Sequence, residues 1–286
     1  MRLEILHTTV YRYSESKTFG PHRLMMRPRE GHHLTIEASR LEIFPVHTLR
    51  WVQDVYDNSI AMVSFSRPAD ELRIISEVTV KHFDSNPFNF LLAPHAVKYP
   101  FPPDPSEQAD VAPFLELIYP QDREAIQAWL APYWKPGQVV DTLELLMSLN
   151  TAIRRDFLYL RREETGVQSP AETLKKMSGS CRDYATLLME AVRVLGFPSR
   201  FISGYIHQPD AQGQDHGATH AWTDIYLPGA GWKAFDPTGG ILACDIHVPI
   251  AVARHPGGAA PVSGSFSGSP DTCVSMAVTV QVGSVE

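Results

Sequence analysis

Cysteine is scarce: 286 residues hold three, Cys181, Cys244 and Cys273. An odd, small number excludes a disulfide framework. Long apolar runs are missing too; none approaches the roughly 18 consecutive residues of a membrane span. The first residues, MRLEILHTTVYRY, alternate in polarity and carry no apolar signal core, so no secretory leader is expected. These features together point to a cytoplasmic protein with reduced thiols and no membrane partner. Charge of one sign is not abundant: 25 Lys and Arg stand against 32 Asp and Glu, a formal −7. That balance does not favour nucleic acid as a partner. Also absent are a glycine-rich phosphate loop, an EF-hand loop and an internal repeat.

Alternation of period two is what the first ~85 residues do have. Leu3, Ile5, Thr9, Tyr11 and Tyr13 share one parity, as do Leu72, Ile74, Val78 and Val80. Shorter runs at Leu34-Ile36-Ala38 and Ile60-Met62 repeat it, with a turn at Asp57-Asn58-Ser59. A β-sandwich-like N-terminal domain is expected. Prolines 94, 100, 102, 103 and 105 then mark a connector, since proline removes backbone donors. The expected organisation is a β-rich domain with its connector over 1–105, a core over 106–243, and a tail over 244–286. The tail holds a Gly/Pro/Ser-rich loop and a final alternating stretch, Val274–Val282, which reads as a strand returning to one of the sheets.

Beyond the connector the period becomes helical. Gln121–Ala131 is one candidate helix, and Asp141 caps a second with Leu145, Leu149 and Ile153 on one face. Ser169-Pro170-Ala171-Glu172 is a capping box with proline at the first helical position. A fourth helix runs from about Cys181 to Leu195 and stops at Gly196, with Pro198 just beyond. Three strands follow, Ser199–His207, His220–Leu227 and Trp232–Asp236, the last two joined by a Pro228-Gly229 turn.

Cys181 stands at the start of that fourth helix, where unpaired N–H groups and the helix dipole favour a thiolate. His220 is the candidate base and Asp236 the group that orients it. They lie sixteen positions apart, an even number, about a midpoint inside the turn. A hairpin therefore places both on one face within a few residues of register. By contrast, His216-x-x-x-His220 and Cys244-x-x-His247 lack the partners of a metal site, and neither metal nor cofactor is expected. The locally basic stretch His22–Arg29 reads as a solvated face. Trp222 and Trp232 read as packing beside the site, Arg182 and Asp183 as support for the helix start, and Cys244 and Cys273 as inert thiols.

Four ordered motifs carry a resemblance: Gly179-Ser180-Cys181-Arg182-Asp183-Tyr184-Ala185, Arg200-Phe201-Ile202-Ser203-Gly204-Tyr205, His220-Ala221-Trp222 and Phe235-Asp236-Pro237-Thr238. Together they resemble the transglutaminase-like core, with Cys, His and Asp in this chain order. Residues 1–83 and the passage Asn86–Leu92 are similar to the N-terminal domain of bacterial transglutaminase-like proteins. Members of that group are described as candidate cysteine proteases. The resemblance implies an α+β, papain-related core with Cys181, His220 and Asp236 as its catalytic residues. It also implies a second oxyanion donor upstream of the cysteine, for which Tyr159 and Gln168 are candidates; Trp222 is a further candidate for substrate contact. At His255–Ala260 the chain departs from the family, which carries an acidic residue there. The activity implied is acyl transfer through a thioester on Cys181, with water (a protease or amidase acting on a protein or peptide) or an amine (a transglutaminase) completing it. A non-enzymatic binding module on the same fold is the alternative.

Overall fold

The computed structural model describes residues 1–83, 86–162, 164–208 and 217–285. His216, one half of the i, i+4 histidine pair, lies outside them.

The alternating N-terminal segments form two sheets. Strand β1 (Arg2–Lys17) pairs antiparallel with β6 (Ala69–His82), which also pairs with β3 (Leu34–Phe44). A second sheet contains β2 (His22–Leu24), β4 (His47–Gln53) and β5 (Ser59–Phe65). Period-two burial aims Tyr13, Leu72 and Ile74 of the first sheet at Leu24, Ala61 and Val63 of the second, and Phe19 and Met26 fill the layer between. Each of the Leu, Ile, Val, Phe and Met side chains among them contributes roughly 1.5–3 kcal/mol when taken fully from water. The sandwich-like architecture follows from that facing.

The helical part carries its caps where the sequence places them. Helix α1 spans Arg123–Leu130. Helix α2 (Thr142–Asp156) begins at Asp141, whose carboxylate accepts from the N–H of Leu143 and Glu144. Helix α3 (Pro170–Lys176) begins at Ser169, whose Oγ accepts from Glu172 N–H. Helix α4 (Cys181–Val194) ends before Gly196, which takes φ +89°, a conformation glycine adopts without strain. Almost every side chain of α4 is buried, so it is the central helix. One side meets the helices through Leu187, Leu188, Leu146 and Leu149. The other meets an antiparallel sheet, where Thr223 Oγ1 donates to Ala185 O. That sheet is larger than the three expected strands. Strands β7 (Ser199–His207), β8 (Gly217–Leu227) and β9 (Gly231–Asp236) are joined by β10 (Ile241–Leu242) beyond β9 and β11 (His247–Ala253) beyond β7.

Beyond Asp236 the final strand returns to a sheet as its alternation predicts, while His247–Ala253 and the Pro-rich passage enter the core, which composition does not suggest. Residues 244–286, read as a tail, divide: His247–Ala253 becomes an edge of the core sheet, and β12 (Cys273–Val285) pairs along nearly all of β1. The Pro-rich passage does link the two halves in sequence, but it is not merely a connector. Tyr99 is buried, stacks on Phe197 at 5.0 Å and donates its hydroxyl to Leu195 O. Its prolines prevent a long strand or helix without preventing its aromatic side chains from entering the core.

The two halves meet along a polar-studded apolar seam. Leu3, Ile5, Val78 and Val282 pack on Tyr205, Val248 and Ile250 of the core sheet. Asn58, fully buried, bonds Val252 through both ends of its amide, accepting from its N–H and donating to its C=O. His7 lies in the same seam, 2.9 Å from the Tyr205 hydroxyl, and burial lowers its pKa to about 4. Burial does the same to His82, again to about 4. Between pH 6.5 and 4 the unfolded chain binds protons that these folded-state imidazoles refuse. Their contribution is therefore complete above about pH 6.5 and is lost as pH falls toward 4. Each is worth up to about 3 kcal/mol. The thermal midpoint should fall steadily across that window, less steeply in His7→Gln; a flat profile from pH 7 to 4.5 would contradict this account.

Candidate active site

The nucleophile candidate is placed by a buried carboxylate. Residues Leu158–Tyr159 pair in parallel with Ser178–Gly179, bringing the chain to the start of α4. Asp183, in the first turn of that helix, is 0% exposed. Its Oδ2 accepts from the N–H and hydroxyl of Ser180, and from the Gln168 side-chain amide. Its Oδ1 accepts from Gln168 N–H and the Arg162 guanidinium. Burial pushes this carboxyl up, but the N–H donors of Ser180 and Gln168 outweigh it and hold it below the usual range. Gly179 fits because a Cβ there would stand 2.8 Å from Asp183 Cβ. Cys181 follows directly, with little of its surface in solvent and its sulfur at the positive end of the helix.

His220 and Asp236 are brought together as the parity requires. The hairpin pairs Thr223 with Phe235 and Leu227 with Gly231, which centres it on residue 229. Continued, that register sets Asp236 two positions from the place opposite His220, on the same face. The resulting bond is direct: His220 Nε2 lies 2.9 Å from Asp236 Oδ2. Nδ1 is then the ring nitrogen left free to face Cys181, the other group that acts on this imidazole. Burial disfavours charge on this imidazole, but Asp236 and Cys181 prevail and push its pKa up to about 10. Asp236 moves the other way: burial raises it, and the bonds from His220 and His247 pull it well below the usual carboxylate range.

His247 is the member sequence reading missed. Its Nε2 is 3.1 Å from the same Asp236 oxygen, while Asp236 Oδ1 accepts from Thr238 N–H. Donor atoms of His220, Asp236 and His247 all lie within 4.8 Å of one another. Their proximity needs no ion, because two N–H groups directed at one carboxylate account for it.

The remaining candidates separate. Tyr159 stands beside Cys181: its pKa is pushed up to about 12, chiefly by burial and then by the cysteine. Gln168 does not, because its amide N–H groups are spent on Ser178 O and Asp183. Trp222 is 1% exposed, packed edge-on against His247 at 5.2 Å, and is a core residue without a free face for substrate. Gly204 makes its room, since a Cβ there would lie 2.5 Å from the indole. Cys244 and Cys273 are free thiols; Cys244 adjoins the site through its backbone N–H, bonded to His247 Nδ1, and burial raises its thiol pKa. At the family departure, Pro256–Ala259 forms a 3₁₀ turn whose Ala259 O accepts from Ser203 Oγ.

A cysteine at a helix start, facing a histidine–aspartate pair across an antiparallel sheet, defines a transglutaminase-like fold. Residues 136–237 match the transglutaminase-like superfamily and residues 3–81 the bacterial transglutaminase-like N-terminal region. The chain therefore carries a transglutaminase-like core joined to a bacterial transglutaminase-like N-terminal region. A solved structure from Cytophaga hutchinsonii, described as a candidate cysteine protease, shares the fold over 100% of this chain and 92% of its own, with TM-score 0.72 and 17% identity. The uncharacterised protein Rv2569c of Mycobacterium tuberculosis is 25% identical over 291 residues, covering 98% of this chain and 92% of that protein. The uncharacterised protein ML0607 of Mycobacterium leprae is 24% identical over 290 residues, covering 98% of each.

Proposed function

We propose that this protein is a thiol-dependent amide hydrolase, acting on protein or peptide substrates by acyl transfer through Cys181. The observation that carries the proposal is the 2.9 Å His220–Asp236 bond, which leaves the other imidazole nitrogen to Cys181. The Cys181 thiolate attacks the amide carbonyl carbon and forms a C–S bond. His220, protonated, gives its proton to the departing nitrogen as the C–N bond breaks. Water then attacks the thioester while His220 takes its proton, and the C–S bond breaks to release a carboxylic acid and restore the thiolate. The Cys181 N–H and the Tyr159 hydroxyl serve as oxyanion donors. Tyr159 holds that role over Gln168 because it stands beside Cys181 while the Gln168 amide N–H groups are engaged by Ser178 and Asp183.

Leu158, Leu160 and Met177 are exposed on the segment bridging to the nucleophile. That rim suits an extended chain presenting apolar side chains. A reducing compartment is part of the proposal, because a disulfide at Cys181 would silence it.

Product analysis by mass tests the reading. A peptide library incubated with and without a primary amine is expected to yield free acids in both cases. Predominant amide products with the amine would make the protein a transglutaminase instead. Absence of either product from every substrate would favour a binding module.

A further inference from the structure

We propose that His247 is a positioning residue of the Cys181 site, a second imidazole that holds the Asp236 carboxylate in the orientation His220 needs. The proposal rests on the amide-hydrolase reading but is carried by geometry alone. His247 is 2% exposed and opens β11, which pairs with β7 and is separated from Asp236 by two intervening strands. It reaches the site because the chain crosses from β10 over Ala243–Ile246, with Ala243 N–H bonded to Ala234 O and His207 N–H to Ile246 O.

Its tautomer is determined. Nδ1 accepts from the Cys244 N–H at 3.2 Å, so the ring proton is on Nε2, which donates to Asp236 Oδ2 at 3.1 Å. With both nitrogens engaged, His247 has no site left for a substrate proton and is not a second base. What it supplies is constraint. Asp236 has Thr238 N–H on one oxygen and two imidazoles on the other, so the carboxylate cannot rotate without losing a buried bond. Trp222 braces the His247 ring from the side. Orienting the group that orients the base is the same logic by which outer partners tune ligating residues, where their loss costs about 10–100-fold.

The groups facing His220 are Cys181 from α4, Asp236 from β9 and the His247 ring at 6.0 Å from β11. Near His247 stand Cys244, Asp245 and His82. The test compares His247→Leu, which deletes the donor, with His247→Gln, whose amide N–H stands in for Nε2–H. Two readouts are used: the NMR titration of the His220 imidazole, and kcat and KM for a peptide substrate. In His247→Leu, kcat should fall at least about tenfold with KM within about twofold. His220 should titrate at least about one pH unit lower than it does in wild type. His247→Gln should recover kcat to within about threefold and the His220 titration to within about half a pH unit. Should the Leu variant not fold, His247→Asn, too short to reach Asp236, replaces it in the same comparison.

Unchanged His220 titration and turnover in the deletion variant would overturn the proposal, as would a Gln variant no better than Leu. The titration reads positioning even where no peptide is cleaved. Failure of the hydrolase reading would therefore show as absent turnover with the titration shift intact.

Discussion

Cys181→Ala is expected to remove amide turnover by at least about 10⁴-fold, the scale on which losing a covalent nucleophile acts. Stability should stay within about 1–2 kcal/mol of wild type, because the change deletes one buried sulfur atom and no other packing. The two effects separate chemistry from folding. The same cysteine should outpace Cys244 and Cys273 in alkylation by iodoacetamide near neutral pH. Cys181 stands at a helix N-terminus beside His220, whereas burial raises the Cys244 thiol. His220 has its pKa pushed up to about 10, so the advantage should persist through neutral pH and shrink as pH passes 10. The same shift makes the His220 contribution to stability complete below pH 6.5 and lost as pH rises through about 10. Equal labelling of all three cysteines, or full turnover in Cys181→Ala, would move the chemistry elsewhere.

Asp183→Ala is expected to destabilise the fold by about 3–5 kcal/mol and to abolish turnover with it. Breaking a buried pair leaves the surviving partner uncompensated. Here the Arg162 guanidinium, the Ser180 N–H and both Gln168 donors would lose their acceptor together. Those same groups determine where residues 178–180 deliver Cys181, so the nucleophile should lose its position before the protein unfolds. Thermal unfolding of Asp183→Ala and Asp183→Asn provides the measurement. Asn keeps one acceptor oxygen and should retain part of the stability. A midpoint within about 2 °C of wild type for the alanine variant would show that the carboxylate is not the support of this turn.

Asp183 also shows how far local reasoning reaches. Its place in a helix first turn is legible, and it suits the dipole, so it reads as an ordinary capping residue. Nothing local announces that Gln168 and Arg162 converge on it, because both come from a loop that folds back over the helix start. Gln168 illustrates the converse: as a buried amide upstream of a cysteine it is a reasonable oxyanion donor, until its N–H groups prove to be spent. The His220–Asp236 pairing was readable from the parity of a hairpin, and the structure displaces the centre by one residue, from 228 to 229. His247 had no such signal. Eleven positions beyond Asp236, it reaches the carboxylate through a crossover that no period predicts.

Hydrophobic alternation, caps and turn residues act over a few neighbours, and through them the sequence by itself determined the two-sheet N-terminal half, the helix starts and the face shared by His220 and Asp236. Tertiary structure alone decided that β12 closes the first sheet against β1, that proline-rich aromatics enter the core, and that Asp236 is held by a second histidine. Those outcomes depend on which distant surfaces are complementary once the local elements exist, and a pattern of period 2 or 3.6 carries no record of its partner.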